Sequence, residues 1–516
     1  MSLNLFLIQL VLFTSVFMLV QAPRLPRGWL AVTGIILAVL AVSFAIAPDW
    51  AGIISGTVWL WLFLLPLLGA ARVNRLVSQE RYRAARQWAT LVKWLHPVDG
   101  MVEYPRLLRG LELGQRGRLD EARHLFSQFE HDNTPSGRMA TILLFRLNGN
   151  WEQLVRWVEE TVSETTLYQE LGLAVTYLRA LGELGRLNEL LQGVATLEQR
   201  SARRGSPILL NTARLYALVF CGQVESVKLL LNGALAVYAS QTRQFWIATA
   251  ELITGRRAIA QAMLEELRQS PDHMLRQAVQ QRLARPAINP LRILTDTSRQ
   301  HLNHLKTTVA QEARYSGWGA LGRKQCYTTY VLIGLNLLVF GWALRQGGTD
   351  DIEVLYRLGA LVPEDVIAGQ GWRLFTALFL HAGWLHLGAN MLGLLVFGSG
   401  VENVLGWRKF LVCYFFSGLG SMLTVTMVGL WTQTFGQLTV GASGAVLGLV
   451  GAEAAIQLQG WRVEKASVAR DRLRLIGIII LLQLGSDLIT PQVSVIGHLS
   501  GVILGFLSGL VLFKLR

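Results

Sequence analysis

The sequence predicts an all-α polytopic membrane helix bundle, with three leading spans, six closing spans and a cytoplasmic α-solenoid inserted between them. Three observations predict it. The 516 residues are 52% hydrophobic with a mean hydropathy of +0.38, too apolar for a chain that lives wholly in water. Several separate apolar runs reach the roughly 18–20 residues needed to cross a hydrocarbon core. Between the third run and the fourth lies a charged, helix-periodic stretch in which one turn phrase keeps returning.

The leading runs cover about 3–20, 29–47 and 51–70, and the closing ones about 328–345, 384–400, 409–430, 438–458, 474–489 and 493–513. Domains are therefore expected at 1–70, 71–326 and 327–516. Leu3–Val20 has neither a basic leader nor a small-residue cleavage site, so it reads as a retained helix and not as a signal peptide. Orientation follows from Lys and Arg, which collect in cytoplasmic loops. Arg24 and Arg27 put the first loop inside, and Pro48-Asp49-Trp50 leaves the second outside. Arg72, Arg75, Arg81, Arg83 and Arg86 then follow the third span on the cytoplasmic side. The alternation continues through Arg323 and Lys324 inside, Asp350, Asp351 and Glu353 outside, Arg408 and Lys409 inside, and Lys514 and Arg516 inside. This topology also accounts for the formal charge of +14, so no nucleic-acid partner is expected. The lipid bilayer is the expected surrounding.

Within 71–326 the phrases "GRLDEA" at 117, "GNWEQL" at 149, "GRLNEL" at 185, "GQVESV" at 222 and "GRRAIA" at 255 recur, with glycine spacings of 32, 36, 37 and 33. That period belongs to helix-hairpin solenoids, where Gly permits the tight turn and each hairpin hides its apolar face on the next. "RLLRGLELGQRGRLDEARHLF" (106–126) resembles the tetratricopeptide repeat, while the other repeats lack its full signature. A peptide or protein partner is expected for such a surface, without its identity.

Chemistry gathers in the closing spans. "TVGASGAVLGLVGAEAA" (439–455) places a lone hydroxyl, Ser443, between Gly441 and Gly444. If that helix starts near Gln437, Ser443 lies about six residues in, on the order of 9 Å below the surface at 1.5 Å per residue. His498 lies equally far past Gln492 in the last span. His386 and Asn390, i and i+4 on one helix face, share the same outer layer. A single intramembrane Ser, His or Asn usually bonds a carbonyl or a neighbouring helix, but four at one depth point to a site. Gly497, Gly501, Gly505 and Gly509 leave one stripe of the last span bare, matched by Gly444, Gly448 and Ala452. Small-xxx-small stripes let backbones approach closely, which would bring Ser443 and His498 within hydrogen-bond reach. A base beside a hydroxyl is the minimal device for a serine nucleophile. Its oxyanion would need donors, for which Asn390, His386 and the Ser443 N–H are candidates.

"WR" (372–373), "HAGWLHLGAN" (381–390), "GVENVLG" (400–406), "GASG" (441–444) and "GHLSGVILG" (497–505) together resemble the rhomboid intramembrane serine proteases, over roughly residues 325–516. The resemblance implies a six-span core with Ser443 as nucleophile and His498 as general base and acid. His386 and Asn390 would be oxyanion partners, supported by Gly441. Trp372-Arg373 would lie in the outer first loop that family members embed sideways in the membrane. The family uses no acid to complete a triad, so Asp487 is expected to be a helix-end or hydrogen-bonding residue.

The implied reaction is hydrolysis of a peptide bond in or beside a transmembrane helix of a membrane-protein substrate, at a site open to the extracytoplasmic side of a bacterial-type plasma membrane. The substrate helix must unwind locally to expose its carbonyls, which favours helix-weakening residues near the cut. No cofactor or metal is expected, since there is no H-E-x-x-H and Cys221, Cys326 and Cys413 are far apart without C-x-x-C spacing. Two rivals are an inactive member that binds membrane helices without cutting them and a transporter with a peptide-binding solenoid. Retention of Ser443 and His498 argues against the first. The hydropathy shows none of the repeated halves that the second would have.

Overall fold

The computed structural model describes residues 3–20, 27–97, 100–129, 133–201, 207–285, 289–315, 326–433, 436–490 and 493–514. Arg24, Arg323, Lys324, Gln492 and Arg516, used above to orient and measure the spans, lie outside the described residues. Helices account for nearly all of the regular structure. Among the described residues the one departure is an antiparallel bridge between Leu361 and Thr439. The chain divides into two compact units, Ser2–Ala310 and Gln311–Arg516.

The first unit opens with α1 (Leu3–Val20), α2 (Arg27–Ile46) and α3 (Ala51–Ser78), each long and apolar enough to cross a membrane. They pack through small and polar residues. Asn4 accepts from Gly52 N at 2.7 Å and donates to Pro48 O at 2.9 Å, and Trp59 Nε1 donates to Thr14 Oγ1 at 2.9 Å. A Cβ on Gly52 would meet the Asn4 carbonyl at 2.1 Å, so glycine is what lets α1 and α3 approach. In the absence of a hydrophobic drive between helices in lipid, such close backbone contact and interhelical bonds carry association.

The five recurring glycines all occupy the left-handed region, with φ between 68° and 87°. Each closes its helix in the same way. Gly117, Gly149, Gly185, Gly222 and Gly255 donate to the carbonyl three residues back, and the residue after each donates five back. This double closure satisfies carbonyls the helix leaves open, and only glycine adopts its backbone without a Cβ penalty. The turns separate the paired helices Tyr104–Gln115 and Leu119–Ser127, Pro135–Asn148 and Trp151–Thr161, Leu171–Glu183 and Leu187–Ser201, Pro207–Phe220 and Val224–Leu231, and Ser240–Ile253 and Arg257–Leu267. One apolar core runs through the last four of these hairpins, from Ile142 to Val309, and includes Leu154, Leu178, Leu215 and Trp246.

Among the described residues the second unit holds six long helices: α4 (Tyr327–Arg345), α5 (Gly383–Leu405), α6 (Trp407–Trp431), α7 (Ser443–Arg462), α8 (Ser467–Ile489) and α9 (Val495–Lys514). Four of them, α4, α5, α6 and α9, are apolar enough to span, giving seven such helices among the described residues of the whole chain. The other two predicted spans form helices of 20 and 23 residues with a more polar make-up. The reasons differ. α7 is rich in Gly and Ala and buries Glu453 and Gln457, whereas α8 begins about two turns earlier than predicted and so adds Arg470, Asp471 and Arg472 to Arg474. Central α7 is buried along most of its length, with α6 and α9 against it.

The contact between α7 and α9 is backbone on backbone. A Cβ on Gly501 would stand 2.3 Å from Gly444 O, one on Gly505 1.9 Å from Gly448 O, and one on Gly509 2.8 Å from Ala452 Cα. Gly451, which the spacing argument did not single out, is as tight, 2.1 Å from Val502 O. Gly497 differs from its ladder: its open side faces Val425 of α6 at 3.1 Å. Gly444 and Gly448 also admit α6, whose Ser421 and Ser417 hydroxyls fill the space a side chain would take. At the other end of the unit, Tyr315 is 1% exposed against Gly460, and Gln311 and Arg314 bond Glu464.

Candidate active site

The segment leading into α7 is not helical, which corrects the depth expected for the serine. Thr439 and Leu361 exchange backbone hydrogen bonds at 2.9 and 3.0 Å, and Gly441 N donates to Ala377 O at 2.9 Å. Gly441 has φ +125°, a backbone that side chains strain to adopt. The helix therefore starts at Ser443 itself, not near Gln437. Likewise α9 starts at Val495, so His498 sits in its first turn. Both side chains belong to helix N-termini, where the first amides have no intrahelical acceptor.

The loop that receives these bonds is held by Arg373, which is 4% exposed. Its Nη1 donates to Tyr356 O at 2.9 Å and Ala360 O at 2.8 Å, its Nε donates to Gln370 Oε1 at 2.7 Å, and its guanidinium lies 4.3 Å from the Tyr356 ring centre. Ala360 precedes the bridging Leu361, so Arg373 fixes the strand-like segment that fixes the approach to Ser443. Arg373→Ala leaves two inward carbonyls without a charged donor, and a loss of roughly 3 kcal/mol is expected. Arg373→Lys, with one ammonium in place of a fork, should recover only part. Melting in detergent measures both, and an unchanged midpoint for Arg373→Ala would contradict the assignment.

Ser443 and His498 meet. His498 Nε2 is 2.8 Å from Ser443 Oγ, and His498 Nδ1 is 2.7 Å from Asp487 Oδ2. His498 is 9% exposed and Asp487 3%. If Nδ1–H donates to the carboxylate, Nε2 is left as the acceptor of the serine hydroxyl. A hydrogen-bonding role is among those expected of Asp487, but not His498 as its partner. Its signal was an ionisable residue in the last turns of a membrane-length helix, which is costly unless partnered, but sequence spacing across the α8–α9 connection could not say with what.

His386 and Asn390 stand on the other side of the serine turn. A Cβ on Gly441 would collide with the His386 ring at 2.7 Å and reach Asn390 Nδ2 at 3.6 Å, so Gly441 serves both the turn and the packing of these residues. Neither is hydrogen-bonded to Ser443 or His498 among the described residues. Asn390 is 6% exposed, and its Nδ2 has no hydrogen-bond partner among the described residues. A buried amide donor left open costs free energy unless something arrives to accept from it. His381, packed edge-on against His386 with ring centres 5.1 Å apart, donates from Nδ1 to Phe379 O, 3.3 Å away. No group of His, Cys, Asp and Glu able to hold a metal ion is found among the described residues.

A separate cleft of about 70 Å³ opens in the helical hairpins, lined by Glu80, Arg146, Trp151, Arg179, Trp246 and Asp272 among others. Its polar groups are largely engaged with one another. Arg179 lies over the Trp151 and Trp246 rings, Glu80 accepts from Thr242, and Asp272 accepts from Gln115. The contact between a hydroxyl and an imidazole lies instead at Ser443 and His498.

The model of the Rhomboid domain matches residues 368–515, a range that contains Ser443, His498, Asp487, His386 and Asn390. The chain is similar to RHOMBOID-like protein 6, mitochondrial, of Arabidopsis thaliana, with 36% identity over 159 residues, 31% of this chain and 49% of that protein. It is similar to Rhomboid protease GluP of Bacillus subtilis (strain 168), with 29% identity over 184 residues, 36% of this chain and 34% of GluP. The rhomboid relative YdcA of the same organism is 30% identical over 143 residues, 28% of this chain and 67% of YdcA. The chain spans about half or less of the length of the first two.

Proposed function

This chain belongs to the rhomboid family of multi-pass membrane proteins, and on that premise we propose that it is an intramembrane serine endopeptidase acting through Ser443 and His498. The observation that carries the reading is the 2.8 Å approach of His498 Nε2 to Ser443 Oγ. In the proposed reaction Nε2 accepts the hydroxyl proton as Oγ bonds the scissile carbonyl carbon. The carbonyl oxygen becomes an oxyanion, for which Asn390 Nδ2, the His386 ring and the Ser443 N–H are the proposed donors. Collapse breaks the C–N bond as imidazolium protonates the leaving amine. Water, activated by the same imidazole, then releases the acyl group from Ser443.

The substrates are transmembrane proteins whose helices unwind near the cut. The open amide of Asn390 supports this reading, because a donor kept buried without an acceptor suits an oxygen that carries charge only during reaction. The proposed topology places the Ser443 end of α7 toward the extracytoplasmic side and the hairpin region in the cytoplasm. There its tetratricopeptide-like pairs would engage a protein or peptide partner. Retention of a contacting serine and histidine favours the protease over an inactive membrane-helix binder.

A fluorophosphonate probe tests the reading on the purified full chain in liposomes. Labelling should map to Ser443 by peptide mass spectrometry and disappear in His498→Ala. Cleavage of a co-reconstituted single-span substrate should be blocked by the probe. Labelling elsewhere, with cleavage unaffected, would overturn the proposal.

A further inference from the structure

Asp487 does more than end a helix: we propose that it is a positioning residue that holds the His498 imidazole in the orientation and tautomer needed to accept from Ser443, giving this chain a three-member Ser–His–Asp relay. The inference rests on the serine-protease reading above and deepens it.

The carboxylate is divided between two tasks. Gln483 Nε2, one helical turn back on α8, donates to Oδ1 at 2.8 Å, and Oδ2 faces His498 Nδ1 at 2.7 Å. A purely local helix-end role would direct both oxygens to α8 or to the connection after it. Here one is held by α8 and the other reaches across to α9. The Asp487 side chain is 1% exposed and that of His498 11%. Burying a carboxylate at the end of a membrane helix is costly, and two charge-assisted hydrogen bonds offset that cost.

The consequence for chemistry follows from the two ring nitrogens. A neutral imidazole has one N–H and one lone pair. A carboxylate oxygen at Nδ1 can only accept, so it keeps the proton on Nδ1 and leaves Nε2 with the lone pair, directed at Ser443 Oγ. When Nε2 gains the serine proton, the nearby negative charge stabilises the imidazolium, while Asp487 itself takes no proton. Gln483 contributes by fixing the carboxylate plane. The ring is thus held from Nδ1, and α9 contributes only its backbone position.

The test uses the full chain in liposomes with Asp487→Asn, Asp487→Ala and Asp487→Glu, beside wild type and Ser443→Ala. Asn preserves shape and the Gln483 contact but removes the charge and can present an N–H to Nδ1, which drives the ring to the wrong tautomer. Asp487→Asn and Asp487→Ala should lower kcat by about 10²–10⁴-fold, with KM for the single-span substrate within about twofold. Fluorophosphonate labelling of Ser443, counted per folded molecule, should slow in parallel. Asp487→Glu should restore part of kcat. Asn and Ala variants with kcat within twofold of wild type would overturn the inference and leave the serine-protease reading standing. So would a loss of activity that tracks the melting midpoint and is not relieved by Glu. Cleavage persisting in Ser443→Ala would instead overturn the reading on which the inference rests.

Discussion

Ser443→Ala and His498→Ala should each lower turnover of a single-span substrate by roughly 10⁴-fold or more, the loss typical when a nucleophile or its base is removed. In the proposed reaction the two side chains act as a unit, one supplying the attacking oxygen and the other the site for its proton. The double variant should therefore be little worse than either single one. Substrate binding is a separate matter. Neither side chain is needed to hold a transmembrane helix against the bundle, so the affinity for uncleaved substrate should change little. Product formation followed by gel and mass spectrometry measures the first quantity, and co-purification with substrate the second. Normal cleavage in either single variant would dismantle the roles assigned to Ser443 and His498.

The second large effect involves no reacting atom. Gly501→Leu and Gly448→Leu should remove activity, because α7 and α9 touch through their backbones where these residues lie. Even the first carbon of a side chain at Gly501 would stand 2.3 Å from Gly444 O. An ordinary C···O contact needs roughly 3.3 Å, so the helices must part by about 1 Å for alanine alone. A displacement of that size at reacting groups costs on the order of 10²-fold in rate. Leucine demands several times more and should also lower the melting midpoint. Gly448 is confined twice, by Ser417 Oγ at 2.0 Å and by Gly501 O at 3.2 Å from a built Cβ. Gly477 of α8 provides the control, since a Cβ there meets nothing within 4 Å. Gly477→Ala should leave turnover unchanged. If Gly501→Leu turned over normally while folded, close packing would not be what joins the serine to the histidine.

Much of this arrangement was legible from residue types and spacing. Glycines every four residues on one face of a helix reveal a stripe without side chains, and the α7–α9 interlock uses Gly501, Gly505 and Gly509 as that stripe implies. Gly497 shows the limit of the argument. It shares the spacing but faces Val425 of α6, because which neighbour a stripe meets depends on where the helices cross. Turn glycines were equally readable: a backbone with φ near 70° favours glycine for a local steric reason, and all five phrases mark such a turn.

The start of α7 was misplaced for a tertiary reason. Apolar composition continues back to about Leu438, but Thr439 and Gly441 spend their backbone groups on Leu361 and Ala377, residues more than sixty positions earlier. Periodicity within one segment carries no information about a partner that distant. The same holds for Arg373, whose importance lies in the carbonyls of Tyr356 and Ala360, and for the open amide of Asn390.

By itself the sequence determined the class of the protein, the membrane-length helices, the glycine turns of the hairpins and the residues able to do serine chemistry, because these depend on composition and on contacts within a few residues. The tertiary structure alone decided that Asp487 faces His498, that the serine begins its helix, and that Gly451 joins the interlock. Each of those depends on where separate helices end in space, and that is set by the packing of the whole bundle.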